Sequence, residues 1–475
     1  MQAKYLLFSI FVIALAACEW KQHNPSYCPP GHDCNLVGPP CVDDSDCDKA
    51  PLLVCDNKIE MCVQCTSEKH DACTEATPAC GDDGRCRACE AHSECSASQA
   101  CLPDGTCADP EQVAYVKPMA LGGTDAGDCS LAQPCTKPSK ALATGRPYVK
   151  LSGTNDEGAT VTITNRNVTV LAESDAKLVR MTNGDIVKVE GSSQVKIFDL
   201  EISGASGGSS SGILVPNGYT GTLTLTRVKL LKNAGSGIFL GDGGTLNVAQ
   251  STIASNAGDG ISAKNGTLDV SQSTISASGN SINPAAGIAV LGGKLTLSRS
   301  ILSGNSGGGL TVATGGVFVV IGNVFVGNGL QAGVAGGISI TTTQNTMNRL
   351  EFNSFTLNTA QPGIGNAIQC TAGTFTARNN IMSGNGTLSN QEQVGGACVH
   401  AYSIARPGTV PGGTGNSGMD PLFKDAANGD LHLMAGSPAL KAADPSSSLT
   451  ETARLDIDGD ERIAPADIGA DQVPR

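Results

Sequence analysis

Four aspartates near the C-terminus have a spacing suited to binding a cation. Asp456, Asp458, Asp460 and Asp467 fall at positions 1, 3, 5 and 12 of a calcium-binding loop. Such a loop needs glycine at position 6, where Glu461 stands here. Carboxylate oxygens are the ligands that calcium prefers. The spacing therefore predicts a calcium site, although the sixth position departs from the pattern.

Acid–base catalysis has little support elsewhere in the sequence. Between residues 206 and 390 the only acids are Asp242, Asp259, Asp269 and Glu351, and they do not recur at one offset of the repeats described below. A lyase would need clustered acids beside a basic group, and a glycoside hydrolase needs two carboxylates roughly 5–10 Å apart. A serine–histidine pair is also excluded there, because no histidine lies between His92 and His400. We therefore expect no catalytic residue, and His400 is interpreted as structural.

Composition favours short strands and turns. The chain has 475 residues, 59 glycines and 4% aromatic residues, which is typical of an all-β protein. The formal net charge of −13 argues against a nucleic-acid partner. Beyond the N-terminus no apolar run is long enough to span a membrane.

The N-terminus reads as an export signal. Lys4 precedes an apolar segment over 5–15, which ends in Leu-Ala-Ala-Cys at Cys18. This resembles the lipobox of bacterial lipoproteins, which implies a signal peptide over 1–17 and a lipid on Cys18 that anchors the chain to a membrane. In that family an aspartate after the lipidated cysteine is linked with retention at the inner membrane, so the resemblance, with Glu19 at this position, implies the outer membrane or cell surface. Residues 18–40 are polar and proline-rich, and they are predicted to form a tether with a Cys28–Cys34 bridge.

The other eighteen cysteines predict disulfides, as expected in an oxidising compartment. Within 41–108 they form three units of four with a start-to-start period of 24 residues, and their connectivity cannot be read from the sequence. The Cys-x-x-Cys pairs Cys62/Cys65 and Cys86/Cys89 leave zinc as an alternative. Cys129 and Cys135 close a small loop inside residues 109–146, the expected N-terminal cap of the next domain.

A repeat runs through the middle of the chain. Five segments beginning at Gly221, Gly244, Gly293, Gly316 and Gly373 each place an asparagine twelve residues after the glycine. Their third, fifth and tenth residues are apolar in all five copies, so each segment contains strands with one buried face. A glycine-rich turn and a third short strand follow. No single repeat can bury its own apolar face, so neighbouring coils must stack in parallel.

Residues 147–405 resemble the right-handed parallel β-helix repeats of the pectate-lyase-like superfamily. The expected fold is therefore all-β: a right-handed parallel β-helix preceded by a small disulfide-rich repeat region. Equivalent residues would form ladders, because coils lie about 4.8 Å apart. Cys370 and Cys398, placed in successive third strands, would then be bonded. The predicted asparagine ladder comprises Asn233, Asn256, Asn280, Asn305, Asn328, Asn358 and Asn385.

Residues 406–475 resemble the C-terminal segment of bacterial surface β-helix proteins of the choice-of-anchor Q type. This resemblance implies that the acidic stretch from Asp456 to Asp467 is a structural closing loop, and that interpretation is the alternative to a calcium site. Because reactive side chains are sparse, the sequence favours a non-catalytic surface lipoprotein that presents the β-helix for adhesion or for recognition of glycans or proteins. A polysaccharide lyase or glycoside hydrolase on the same scaffold is the alternative, and a purely structural envelope protein is a third. No cofactor is expected apart from the candidate calcium.

Overall fold

The computed structural model describes residues 38–48, 50–69, 73–74, 76–329, 336–341, 345–372 and 375–474. The chain divides into two compact units, Met1–Val113 and Ala114–Arg475. The predicted signal peptide, Cys18, the Cys28–Cys34 bridge and most of the tether lie outside the described residues. Within the described residues, no helix is both long enough and apolar enough to cross a bilayer.

Disulfides hold the described part of the first unit together. In each repeat the first cysteine bonds the third, and the second bonds the fourth. The pairs are Cys41–Cys55, Cys47–Cys62, Cys65–Cys80, Cys73–Cys86, Cys89–Cys101 and Cys95–Cys107. For these twelve cysteines the disulfide prediction is confirmed, and the zinc alternative is wrong because both Cys-x-x-Cys pairs are used in disulfides. Two hairpins lie between the bonds: β1 (Val54–Asp56) with β2 (Met61–Val63), and β3 (Ala79–Cys80) with β4 (Cys86–Arg87).

The second unit is built from coils that each add one strand to each of three sheets. Sheet A contains β5 (Val113–Val116), β6 (Tyr148–Leu151), β9 (Asn167–Ala172), β12 (Gln194–Phe198), β15 (Thr222–Thr226), β18 (Thr245–Ala249), β21 (Thr267–Ser271), β24 (Lys294–Ser298), β27 (Val317–Ile321), β30 (Arg349–Glu351), β33 (Thr376–Arg378) and β36 (Val399–Ala401). Sheet B contains β7 (Thr154–Asp156), β10 (Lys177–Val179), β13 (Glu201–Ser203), β16 (Lys229–Leu231), β19 (Thr252–Ala254), β22 (Thr274–Ser276), β25 (Ile301–Ser303), β28 (Val324–Val326), β31 (Ser354–Thr356), β34 (Ile381–Ser383) and β37 (Ile404–Arg406). Sheet C contains β8 (Val161–Thr164), β11 (Val187–Glu190), β14 (Ile213–Val215), β17 (Ile238–Asp242), β20 (Ile261–Lys264), β23 (Ile288–Leu291), β26 (Leu310–Ala313), β29 (Ile338–Thr341), β32 (Ile368–Ala372) and β35 (Val394–Gly396).

The coils stack in parallel and in register around an apolar interior. Leu223 of β15 pairs with Leu246 of β18, which pairs with Leu268 of β21. The same row continues through Leu295 to Phe318, and all five side chains are buried. Every second residue of a strand faces inward, so each coil hides its apolar face against the next. The predicted all-β parallel β-helix is confirmed.

A short helix covers the first coil. Helix α1 (Pro138–Ala143) packs on β6 and β8, and its Ala141 and Leu142 are buried in the same core as the strands. One-turn 3-10 helices occupy Asp44–Asp46, His92–Glu94, Pro110–Gln112, Met119–Leu121, Ala426–Asn428 and Glu451–Ala453.

The C-terminal tail, residues 407–474, lies along the side of the coils. Its hairpin pairs β38 (Phe423–Asp425) with β39 (Asp430–Leu433). Phe423 and Leu433 of this hairpin join an apolar cluster with Ile321, Phe352 and Ile381, which lie in or between coil strands. Backbone bonds fix the contact: Gly469 N donates to Asn379 O at 2.9 Å. The tail therefore covers an apolar strip that the coils leave outside their own core.

Candidate functional site

A polar groove of about 510 Å³ lies where the tail meets the last strands of sheet A. The coils contribute its floor and the tail contributes three consecutive serines, 446–448. The groove is lined by Asn345, Thr346, Asn348, Arg349, Glu351, Phe375, Thr376, Arg378, Val399, Ser446, Ser447 and Ser448. These residues define the groove.

Strand register brings the charged residues of the groove together. In β30 the Leu350 side chain is buried inside the β-helix, so the neighbouring side chains of Arg349 and Glu351 project outward from it. Glu351 pairs in register with Arg378 of β33, one coil further on. The Glu351 carboxylate accepts two hydrogen bonds from Arg349, from Nε at 3.2 Å and Nη2 at 2.9 Å.

A carboxylate from the tail completes this network. Arg378 Nη1 lies 2.8 Å from Asp444 Oδ2, and Asp444 N donates to Asn379 Oδ1 at 2.7 Å. Burial raises the pKa of Asp444, but hydrogen bonds from Ser446 and the charge and hydrogen bond of Arg378 outweigh it, and the pKa falls below its ordinary value. Asn379 Nδ2 also donates to Ser447 Oγ at 2.7 Å. These bonds hold the serine wall against the coils.

Two buried hydrogen-bond donors of the groove have no partner. Asn348 is 8% exposed, its Oδ1 accepts from Phe318 N at 3.2 Å, and its Nδ2 is unpaired. Arg378 Nε is also unpaired, because the nearest Glu351 oxygen is 3.9 Å away, too far for a hydrogen bond. An unsatisfied buried donor costs about 1–3 kcal/mol. Both atoms are inaccessible to solvent, so they lie beneath the surface of the groove.

Residues 211–386 match the family described as the right handed beta helix region. Among solved structures, pectate lyase Pel9A is similar at 15% identity and a TM-score of 0.48, over 76% of this chain and 96% of that chain. A GH136 lacto-N-biosidase from Eubacterium ramulus is similar at 13% identity and a TM-score of 0.39, over 64% and 67%. A GH87 alpha-1,3-glucanase from Streptomyces thermodiastaticus strain HF3-3 is similar at 16% identity and a TM-score of 0.34, over 70% and 71%. No curated protein matches the sequence.

Most of the predicted asparagine ladder lies inside this right-handed β-helix. Six of the seven side chains are buried, and Asn305 Nδ2, for example, donates to Asn328 Oδ1 at 2.9 Å. Asn280 is the exception and the prediction for it is wrong: it is exposed, and its Oδ1 accepts from Ile282 N at 2.8 Å in a turn. Ser278 takes its place in the ladder and donates its N–H to Asn305 Oδ1 at 3.0 Å. The residues inserted in this repeat displace Asn280 from the bend.

A second polar ladder was missed by the sequence reasoning. Asn323 Nδ2 donates to Asn353 Oδ1, and Asn353 Nδ2 donates to Asn380 Oδ1, both at 3.0 Å. Serines 251, 273 and 300 continue it toward the N-terminus. The available signal was an asparagine five residues before Asn328, Asn358 and Asn385.

Both disulfides predicted in the second unit are bonded, Cys129 with Cys135 and Cys370 with Cys398. The placement of Cys398 in a third strand is wrong. Cys370 of β32 pairs in register with Gly396, and Cys398 lies just beyond β35, before β36. The Cα atoms are nevertheless 5.6 Å apart, within disulfide range.

The structure does not bring the four predicted calcium ligands together. Asp456 Oδ1 accepts the backbone N–H groups of Asp458, Gly459 and Asp460, and its Oδ2 accepts that of Gln472 at 2.8 Å. The carboxylate of Asp467 is likewise occupied: Oδ1 accepts from Lys441 N, and Oδ2 from Gln472 Nε2 and Val473 N. Asp458 instead faces His432, with 2.9 Å between Oδ2 and Nε2. The calcium-loop interpretation is therefore wrong, because its first and last ligands are used to fold the loop.

A buried arginine explains the acidic character of this loop. Arg462 is 3% exposed, lies 4.6 Å from the centre of the Phe352 ring, and donates from Nη2 to Gly469 O and Ala470 O. Burial lowers the pKa of Arg462 to about 10, although the charges of Asp456, Asp471 and Asp467 raise it. The aspartates thus supply the countercharge for a cation that fastens the tail to the coils.

Proposed function

We propose that this chain is an exported, lipid-anchored surface protein that recognises a glycan in the groove without transforming it. The observation that carries this proposal is a groove of saccharide size whose lining combines three serine hydroxyl groups with two apolar side chains, Phe375 and Val399. Sugars present both hydroxyl groups and C–H faces, so they match such a lining.

The charged residues of the groove favour binding over catalysis. A general acid must hold a proton near neutral pH, which requires a raised pKa. The pKa of Asp444 is instead lowered, and both Glu351 and Asp444 are engaged by arginines. Among the described residues that line the groove there is no histidine, cysteine or lysine.

The proposed lipid anchor, Cys18, lies outside the part of the chain that the structure describes. Removal of residues 1–17 would leave Cys18 as a lipidated N-terminus at the outer membrane or cell surface. Intact-mass measurement of the protein from membranes should show the acyl chains. The Cys18→Ala variant should leave the membrane fraction.

A carbohydrate-active enzyme is the second candidate. One observation favours it: two carboxylates, Glu351 and Asp444, contact the same arginine at the edge of the groove. Incubation of the full chain with neutral glycans and polyuronides, with and without calcium, decides between the two functions. Binding without product supports recognition, whereas turnover that is lost in Glu351→Gln would establish the enzyme.

A further inference from the structure

We infer that the groove selects an uncharged saccharide and discriminates against acidic ones. This inference rests on the proposed glycan recognition and goes on to name the ligand class. It follows from the charge balance of the groove, from the uncharged hydroxyl groups that line it, and from its apolar floor.

Both arginines of the groove are already paired with carboxylates. Arg349 is held by Glu351 through two hydrogen bonds, and Arg378 pairs with Asp444 at 2.8 Å. Two guanidinium groups thus face two carboxylates, and Glu351 is only 7% exposed. An acidic sugar would have to displace one of these carboxylates from its arginine. Its approach to a chain of net charge −13 is also unfavourable.

The polar groups that the tail adds to the groove are uncharged. The serines Ser446, Ser447 and Ser448 line it, and a hydroxyl group can both donate and accept a hydrogen bond. Hydroxyl, ring or amide oxygens of a neutral sugar can pair with such groups without bringing a charge.

Two apolar side chains complete the recognition surface. Phe375 is half-buried, its ring packs edge-on against Phe318 at 5.2 Å, and it lines the groove. Val399 lines it as well and is 48% exposed. The C–H face of a sugar ring can cover both of them. An amphipathic, uncharged ring therefore matches the floor and the polar walls together.

The test begins with the full-length chain on a printed array of neutral and acidic glycans, followed by titration calorimetry with the strongest binder. We expect a neutral glycan to bind with an affinity that changes little between low and high salt, because no ion pair forms.

A pair of exposed substitutions guards against misfolding. Val399→Asp puts a charge on the groove floor and should weaken neutral-glycan binding about tenfold or more. Leu388→Asp makes the same kind of change at a residue that is 98% exposed and outside the groove, and it should bind like the parent. Tighter binding of acidic glycans, or equal losses in both variants, would overturn the inference but leave glycan recognition standing. An array with no bound glycan would overturn the proposed function itself.

Discussion

Arg378 Nη1 lies 2.8 Å from Asp444 Oδ2, an ion pair between a coil strand and the tail 66 residues later. The Asp444 side chain is 9% exposed, so this pair is shielded from solvent far more than an ordinary surface pair. This ion pair closes the groove. It also holds the tail over the apolar strip of the coils.

Asp444→Asn should therefore loosen the tail. The change removes the charge of the carboxylate nearest to Arg378, and we expect the free energy of unfolding to fall by about 2 kcal/mol. Because the pKa of Asp444 is lowered in the folded state, its contribution is present above its unfolded value of 3.8 and is lost as pH falls through the folded pKa. Urea unfolding at neutral and acidic pH measures both effects.

The matched control is Asp420→Asn. Asp420 pairs with Arg406, but its side chain is 57% exposed, and such pairs contribute about 0–1 kcal/mol. Equal destabilisation by the two substitutions would contradict the structural role given to Asp444.

The asparagine ladder predicts a sharp contrast between two residues of one type. Asn328 is fully buried, and its Nδ2 donates to Leu302 O and Asn358 Oδ1 while its Oδ1 accepts from Asn305. Asn328→Ala leaves these partners unsatisfied and should cost about 2–4 kcal/mol of unfolding free energy. Asn280→Ala, at an exposed turn, should cost less than about 0.5–1 kcal/mol. Denaturant unfolding that ranks the two variants the other way would refute the ladder geometry.

His432 predicts a loss of stability on raising the pH. The hydrogen bond with Asp430 raises the pKa of His432, burial opposes this, and the bond to Asp458 adds to it. A raised histidine pKa contributes stability that is fully present below the unfolded value of 6.5 and is lost as pH rises through the folded pKa. The Tm should therefore decline across that window, modestly because the side chain is 47% exposed.

His432→Gln should flatten this decline. His400→Gln is the comparison, because burial lowers the pKa of His400 to about 4 and the ring stays neutral throughout the window above 6.5. The His400 variant should retain the slope of the parent even if its overall stability differs. Thermal melts over a pH series measure the slopes, and a parent slope in the His432 variant would exclude the assignment.

The coils were predictable because their information is local. Alternation such as Leu223 and Leu225 marks a buried strand face, and its recurrence fixes the stacking of neighbours. The same logic failed at Asn280, where inserted residues changed which side chain reaches the bend. Ser278, two residues earlier, does so instead.

The groove could not be predicted, because it depends on a contact that no local pattern encodes. Glu351 and Arg378 share a face through coil register, but Asp444 reaches them only when the tail folds back along the coils. The outward apolar residues that attract the tail, such as Ile381 and Phe352, interrupt the inside–outside alternation without indicating what covers them. Spacing also misled at Asp456, since backbone N–H groups satisfy a carboxylate as well as a cation does.

Two aspartates of the acidic loop, Asp456 and Asp460, should differ in their effect on stability. Asp456 is buried and accepts four backbone N–H bonds, so Asp456→Asn should weaken the tail by about 2–3 kcal/mol. Asp460 is exposed and contributes only its backbone to the loop, so Asp460→Asn should leave stability unchanged. A calcium loop predicts the opposite pattern, in which both variants lose metal-dependent stability. Thermal melts with calcium and with chelator distinguish the two: we expect no shift for the parent, and a calcium-dependent rise in Tm abolished by Asp460→Asn would restore the metal site.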